Sequence, residues 1–234
     1  MTLSIHRLVS NPERRSPLNM SLFSVKVLVN SLLFFGVLAH SQAPKSVFDS
    51  KGMVASRSAI ASEVGAKILA SGGNAIDAAV SVGFALAVTY PSAGNLGGGG
   101  FMVIRLADGQ VVANDHREKA PIFANKDMFL NDSGNVVPGM SLYSRASSGV
   151  PGTVDGLIRA LEDHGSGNIT LREVLNPAIV LAERGFFLSH YEASRFNSYK
   201  DFFLRNEAAS KIFVRKDKKP WKKGDKFIQK DLAK

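Results

Sequence analysis

The stretch Ala78–Val88 constrains this chain more than any other, because at helical spacing Val80, Val82, Phe84, Leu86 and Val88 leave almost no polar side. A helix apolar all round has to be enclosed by its own protein. The run continues for about fifteen residues before Pro91, short of the roughly twenty that cross a bilayer, so other elements must cover it. Asn74, with Asp77 three residues on, predicts its N-cap. Ahead of it, Ser56–Ala70 places Ile60, Ala61, Val64, Ile68 and Leu69 on one face and predicts an amphipathic helix stopped by Gly72-Gly73.

Downstream, Phe101–Leu106 and Gln110–Asn114 are β-rich runs around Ala107-Asp108-Gly109, a hairpin signal. Val150-Pro151-Gly152-Thr153 is turn chemistry leading into a helix through Leu157 and Leu161. Leu171–Leu175 and Pro177–Arg184 predict two helical pieces, with Pro177 at a helix start and Gly185 as the stop. Residues 189–210 read as helical and amphipathic, and Trp221–Asp225 as a turn in a lysine-rich stretch. There is no internal repeat, and the 234 residues suffice for one domain or two small ones.

Charge and cysteine narrow the functions open to such a fold. The chain has no cysteine, which removes disulfides, thiolate metal sites and cysteine nucleophiles. Its net charge of +9 sits at the ends: residues 1–41 carry +3, residues 211–234 carry +7, and the body between them is close to neutral. Basic residues through Lys26, the apolar run Val27–Leu38 and small residues Ala39 and Ser41 fit a secretory signal peptide cleaved after Ser41. Residues 1–41 are thus expected to be an extension plus signal peptide, with Met1 or Met20 as the start. Residues 42–234 are expected to be the mature body, secreted or periplasmic and with no stable membrane span. The basic end reads as a surface segment, not a nucleic-acid partner site, because aromatic interleaving is sparse and no nucleic-acid fold signature accompanies it.

Gly97–Gly100 invites a phosphate-loop reading that its context contradicts. Such a loop runs from a strand into a helix within a GK[ST] or GxGxxG frame, whereas this run leaves a helix and enters a strand. The alternative is close backbone approach to another segment or a substrate. The histidines (His6, His40, His116, His164, His190) show no paired metal-ligand spacing, and no GxSxG elbow is present. Asp115-His116-Arg117-Glu118-Lys119 closes the second hairpin strand, where side chains either face a cleft or form a solvated turn.

The ordered set of motifs is more specific than any single one. It comprises Ser62-Glu63-x-Gly65, Gly72-Gly73-Asn74-Ala75-x-Asp77-Ala78, Gly94-Asn95-Leu96 followed by the four glycines and Phe101, and Arg117-Glu118-x-Ala120-Pro121. Gly149-Val150-Pro151-Gly152-Thr153-Val154-Asp155-Gly156-Leu157, Pro177-Ala178-Ile179-x-Leu181-Ala182-x2-Gly185-Phe186 and Gly224-Asp225 ahead of Asp231-Leu232-Ala233 complete it. Over about residues 50–234 the chain closely resembles the N-terminal part of the γ-glutamyltransferase (γ-glutamyltranspeptidase) large subunit. The resemblance implies an α/β (α+β) chain, part of a four-layer αββα N-terminal-nucleophile hydrolase sandwich that is incomplete here. It implies a precursor that cuts itself into two subunits, whose new N-terminal Thr attacks the γ-carbonyl of glutathione or another γ-glutamyl compound and passes the γ-glutamyl group to water or an amine.

One substrate residue is carried over by the motif: Arg117, as the partner of the γ-glutamyl α-carboxylate, with Glu118 orienting it or the neighbouring loop. An Arg fork suits a planar carboxylate in a way Lys does not. No cofactor and no metal are implied. The nucleophilic Thr is expected beyond residue 234, together with the rest of the large subunit and the small subunit as partners, and the chain by itself is expected to be inactive. Two other readings stand beside this one: a cephalosporin-acylase-like amidase of the same superfamily, and a non-catalytic remnant or binding module.

Overall fold

The computed structural model describes residues 46–234. The signal-peptide and start-site expectations lie outside the described residues. Residues 49–234 form one compact unit. In chain order its elements are α1 (Ala59–Ala70), α2 (Ala75–Thr89), β1 (Phe101–Arg105), β2 (Val111–Asp115), α3 (Met140–Tyr143), a short 3-10 turn (Arg145–Ser147), α4 (Thr153–His164) and α5 (Leu171–Arg184). They continue with β3 (Phe186–Phe187), α6 (His190–Ser198), α7 (Lys200–Phe203), α8 (Glu207–Phe213) and β4 (Lys226–Phe227). The chain is α+β, as its patterning predicts. Its described strands form two antiparallel pairs, β1 with β2 and β3 with β4.

The apolar helix is the centre of the unit. α1, α4 and α5 pack around α2, and Val80, Phe84 and Val88 meet Ile104, Leu157, Val174 and Ala178 in a core that excludes water. Each large aliphatic or aromatic side chain removed from water there contributes about 1.5–3 kcal/mol.

The buried polar side chains Asp77, Ser81, Thr89 and Gln229 around α2 all have partners. Asp77 is fully buried, and its carboxylate accepts from Asn74 N at 2.7 Å and from Ser166 N at 3.1 Å. Asn74 Oδ1 in turn accepts from Ile76 N and Asp77 N, so the predicted cap is a complete capping box. Asn74 Nδ2 also donates to His164 O, which ties the start of α2 to the end of α4. At the other end of α2, Gln229 Nε2 donates to Val88 O.

The glycine stop of α1 has a defined geometry. Gly72 adopts φ +93°, Gly72 N donates to Leu69 O and Gly73 N donates to Ile68 O, the paired bonds of a Schellman motif.

Two sequence expectations require correction. Pro177 does not start a helix: α5 begins at Leu171 behind the capping box of Thr170 and Glu173 and runs through Pro177 to Gly185, which has φ +78°. The proline forfeits one backbone bond, but Val174, Ala178 and Ala182 on the same helix are buried on both sides of it and hold the axis together. Residues 189–210, read as one helical stretch, divide into α6, α7 and the start of α8, with Asn206 capping the last.

The lysine-rich end folds back onto the body. β4 pairs with β3, Phe186 opposite Phe227. Phe227 is 1% exposed and lies against Phe196, Phe213 and Trp221 in an aromatic cluster. Among the described residues no helix is long and apolar enough to cross a membrane.

Candidate functional site

The hairpin carries the sequence-predicted site residues. β1 and β2 pair in register from Phe101 opposite Asp115 to Arg105 opposite Val111. Met102, Ile104 and Val112 turn toward the core, while Phe101, Val103 and Val111 face outward. The ladder extends one step past the strands, with Gly100 N donating to His116 O at 3.2 Å and His116 N to Gly100 O at 3.1 Å. Arg117 and Glu118 therefore leave the sheet directly from its last pair.

Glycines from two distant segments enclose this exit. A methyl group at Gly99 would stand 2.6 Å from His116 O, and methyl groups at Gly152 and Gly156 would overlap His116 O and His116 Cβ. The glycine run is thus a packing device, the close backbone approach expected of it. Gly98 O accepts from Gly152 N at 2.8 Å and from Thr153 N at 3.0 Å, and Lys119 exchanges backbone bonds with Val150. The 97–100, 116–119 and 149–156 segments are woven together through main-chain bonds and missing side chains.

Side chains complete the weave. Asn95 Oδ1 accepts from Gly98 N at 2.9 Å and lies 2.6 Å from Thr153 Oγ1, its hydroxyl donor. Asn114 Nδ2 donates to Gly156 O at 3.1 Å, and Asn114 Oδ1 lies 2.9 Å from His116 Nδ1. Asn95 and Asn114 were not singled out individually from the sequence. The available signal was only that each asparagine flanks a turn or strand end, and their partners lie about forty to sixty positions away.

Within this frame the Arg117 side chain is 60% exposed, and Glu118 is 33% exposed. Arg117 Nε donates to Glu118 Oε2 at 3.0 Å, Arg117 N donates to Asp115 Oδ1, and the guanidinium lies 5.6 Å from the Phe101 ring centre. The Glu118 backbone N–H, and after it the Arg117 guanidinium, hold the Glu118 carboxyl below the usual carboxylate range. Glu118 thus stays ionised and occupies Nε, and the two Nη groups make no hydrogen bond among the described residues. The arrangement can receive a planar anion end-on.

The threonines of the described residues serve structure. Thr89 Oγ1 donates to Ala85 O, Thr153 bonds Asn95, and Thr170 caps α5. Among these residues no three His, Asp or Glu side chains gather as a metal site would require.

Comparisons with known proteins place the chain in a family. Residues 61–234 match the family model described as gamma-glutamyltranspeptidase. The chain is 47% identical over 214 residues to a glutathione hydrolase proenzyme of Pseudomonas sp. (strain A14), covering 90% of this chain and 36% of the relative. It is 50% identical over 184 residues to the glutathione hydrolase proenzyme of Escherichia coli (strain K12), covering 79% and 31%. Among solved structures, Helicobacter pylori gamma-glutamyltranspeptidase superposes with a TM-score of 0.76 at 47% identity, over 81% of this chain and 54% of that one. The chain spans about a third of the length of these curated relatives, 36% and 31%. On the strength of the match across residues 61–234 and of relatives about half identical, this chain belongs to the gamma-glutamyltranspeptidase family.

Proposed function

We propose that this chain is the N-terminal part of an exported glutathione hydrolase (γ-glutamyltransferase) and that Arg117 binds the α-carboxylate of its γ-glutamyl donor. The observation that carries the reading is the Arg117 fork. It is held at Nε by an ionised Glu118, stands on a glycine-packed strand exit, and is open at both Nη groups. A fork presented in this way matches a carboxylate bidentately, and a lysine at the same place would offer only a point charge. Glu118 is a positioning residue in this reading.

The reacting threonine is supplied from the part of the relatives' length that this chain does not span, which agrees with their being proenzymes. Its hydroxyl attacks the γ-carbonyl carbon, and the C–N bond to cysteinylglycine breaks as the leaving amine takes the proton. Water or an amine then opens the γ-glutamyl ester. This chain's contribution is to fix the donor's far end so that the γ-carbonyl is presented at one place. Its physiological partners are γ-glutamyl compounds, the remainder of the large subunit and a small subunit.

A graft tests the proposal. Residues 61–234 replace the matching segment of the Escherichia coli proenzyme, and release of p-nitroaniline from L-γ-glutamyl-p-nitroanilide is followed. Processing into two subunits with clear turnover is expected. A graft that processes and folds but does not turn over the γ-glutamyl anilide contradicts the proposal.

A further inference from the structure

The loop between α8 and β4 has a charge arrangement that donor chemistry leaves unused. Arg215 takes both of the loop's acidic side chains: its Nε bonds Asp217 at 2.9 Å and its Nη1 bonds Asp225 at 2.5 Å. Asp225 also accepts from Lys222 N, and Asp217 from Lys219 N. The loop is pinned elsewhere too, with Trp221 Nε1 donating to Phe213 O at 2.7 Å and Asn197 bonding the Trp221 main chain in both directions. With the carboxylates turned inward, Lys216, Lys218, Lys219, Lys222 and Lys223 make no ion pair among the described residues. A pinned loop therefore displays five ammonium groups outside ion pairs, against the single net negative charge left by Arg215, Asp217 and Asp225.

Apolar side chains flank them. Lys200, Lys216 and Lys218 line one open groove of about 850 Å³ together with Leu204, Val214 and the ion pair of Lys211 with Glu207. Leu204, four residues after Lys200 and on the same side of the chain, is 53% exposed. Lys200 Nζ donates to Lys218 O, which fixes α7 against the loop.

We propose that this face is a peripheral docking surface for an anionic phospholipid membrane, with the lysines at the headgroup phosphates and Leu204 at the acyl boundary. Lysine point charges next to exposed apolar side chains suit that interface. Nucleic acid fits less well. The loop's aromatic ring, Trp221, is packed against Phe196 and Phe227 and leaves no platform on which a base could stack.

The test uses the full chain in a sedimentation assay with phosphatidylcholine vesicles, with and without phosphatidylglycerol, across a salt series. Binding is expected only with phosphatidylglycerol, weakening as salt rises. The triple variant Lys216→Gln, Lys218→Gln, Lys219→Gln should lose about 100-fold in partition, roughly fivefold per lysine. Leu204→Ser should weaken binding at high salt as well. Near-UV circular dichroism of the variants establishes that they remain folded. Binding that is equal on both vesicle types, or unchanged in the triple variant, overturns the proposal and assigns any attachment to the apolar run at 27–38. Tighter retention on single-stranded DNA than on phosphatidylglycerol vesicles at equal salt overturns it in favour of a nucleic-acid surface.

Discussion

Single residues decide the site by what they lack as much as by what they carry. Gly156 lies on α4 against His116, so Gly156→Ala forces a methyl group into an occupied position. Overpacking of this kind costs about 1–3 kcal/mol, and urea denaturation should show the midpoint falling by a corresponding amount. An unchanged midpoint would mean that the weave of strand exit and helix is looser than described. Arg117 and Glu118 could be singled out as candidate site residues because their motif is short and contiguous. The packing partners of His116 were not, because Gly99, Gly152 and Gly156 are brought to it by main-chain bonds between segments far apart in sequence. Only the permissiveness of the Gly97–Gly100 run for close approach was visible beforehand.

At the scale of elements, local signals were legible and tertiary compensation was not. The Asn74 cap, the Gly72 stop and the hairpin register all follow from chemistry within a few residues. Pro177 is the counterexample, since local chemistry places it at a helix start while α5 continues through it on the strength of Val174, Ala178 and Ala182. A proline in a helix interior is about 3 kcal/mol less favourable than alanine, so Pro177→Ala should raise the denaturation midpoint; a lower midpoint would show that the ring itself is packed.

The loop after α8 makes an equally definite prediction. The Arg215 guanidinium, followed by the Lys219 backbone N–H, holds the Asp217 carboxyl down to about 2 from an ordinary 3.8. A carboxylate lowered on folding stabilises the loop above its ordinary value, and that contribution is lost as pH falls from about 4 toward about 2. Trp221, the chain's one tryptophan, reports the change directly: its emission should shift to the red over that window. A shift complete above pH 5 would place the cause elsewhere.

For the molecule as a whole, the described residues form a helical core with one hairpin carrying an open arginine fork, and they hold the C-terminal part of the +9 net charge in folded structure. Its C-terminal share belongs to a segment whose Phe227 and Gln229 are buried in the body. A sequence tally of lysines could not reveal that, because the two buried residues are surrounded by exposed cations. The account rests most heavily on Arg117 reading a carboxylate at the far end of the donor. The direct measurement compares kcat/KM of the grafted proenzyme and its Arg117→Met variant on two anilides, L-γ-glutamyl and 4-aminobutyryl, the second lacking only the α-carboxylate. Loss of a charge-assisted fork contact should lower the γ-glutamyl value about 10- to 100-fold and leave the 4-aminobutyryl value nearly unchanged. Equal losses on both substrates, or none on the γ-glutamyl anilide, would contradict it.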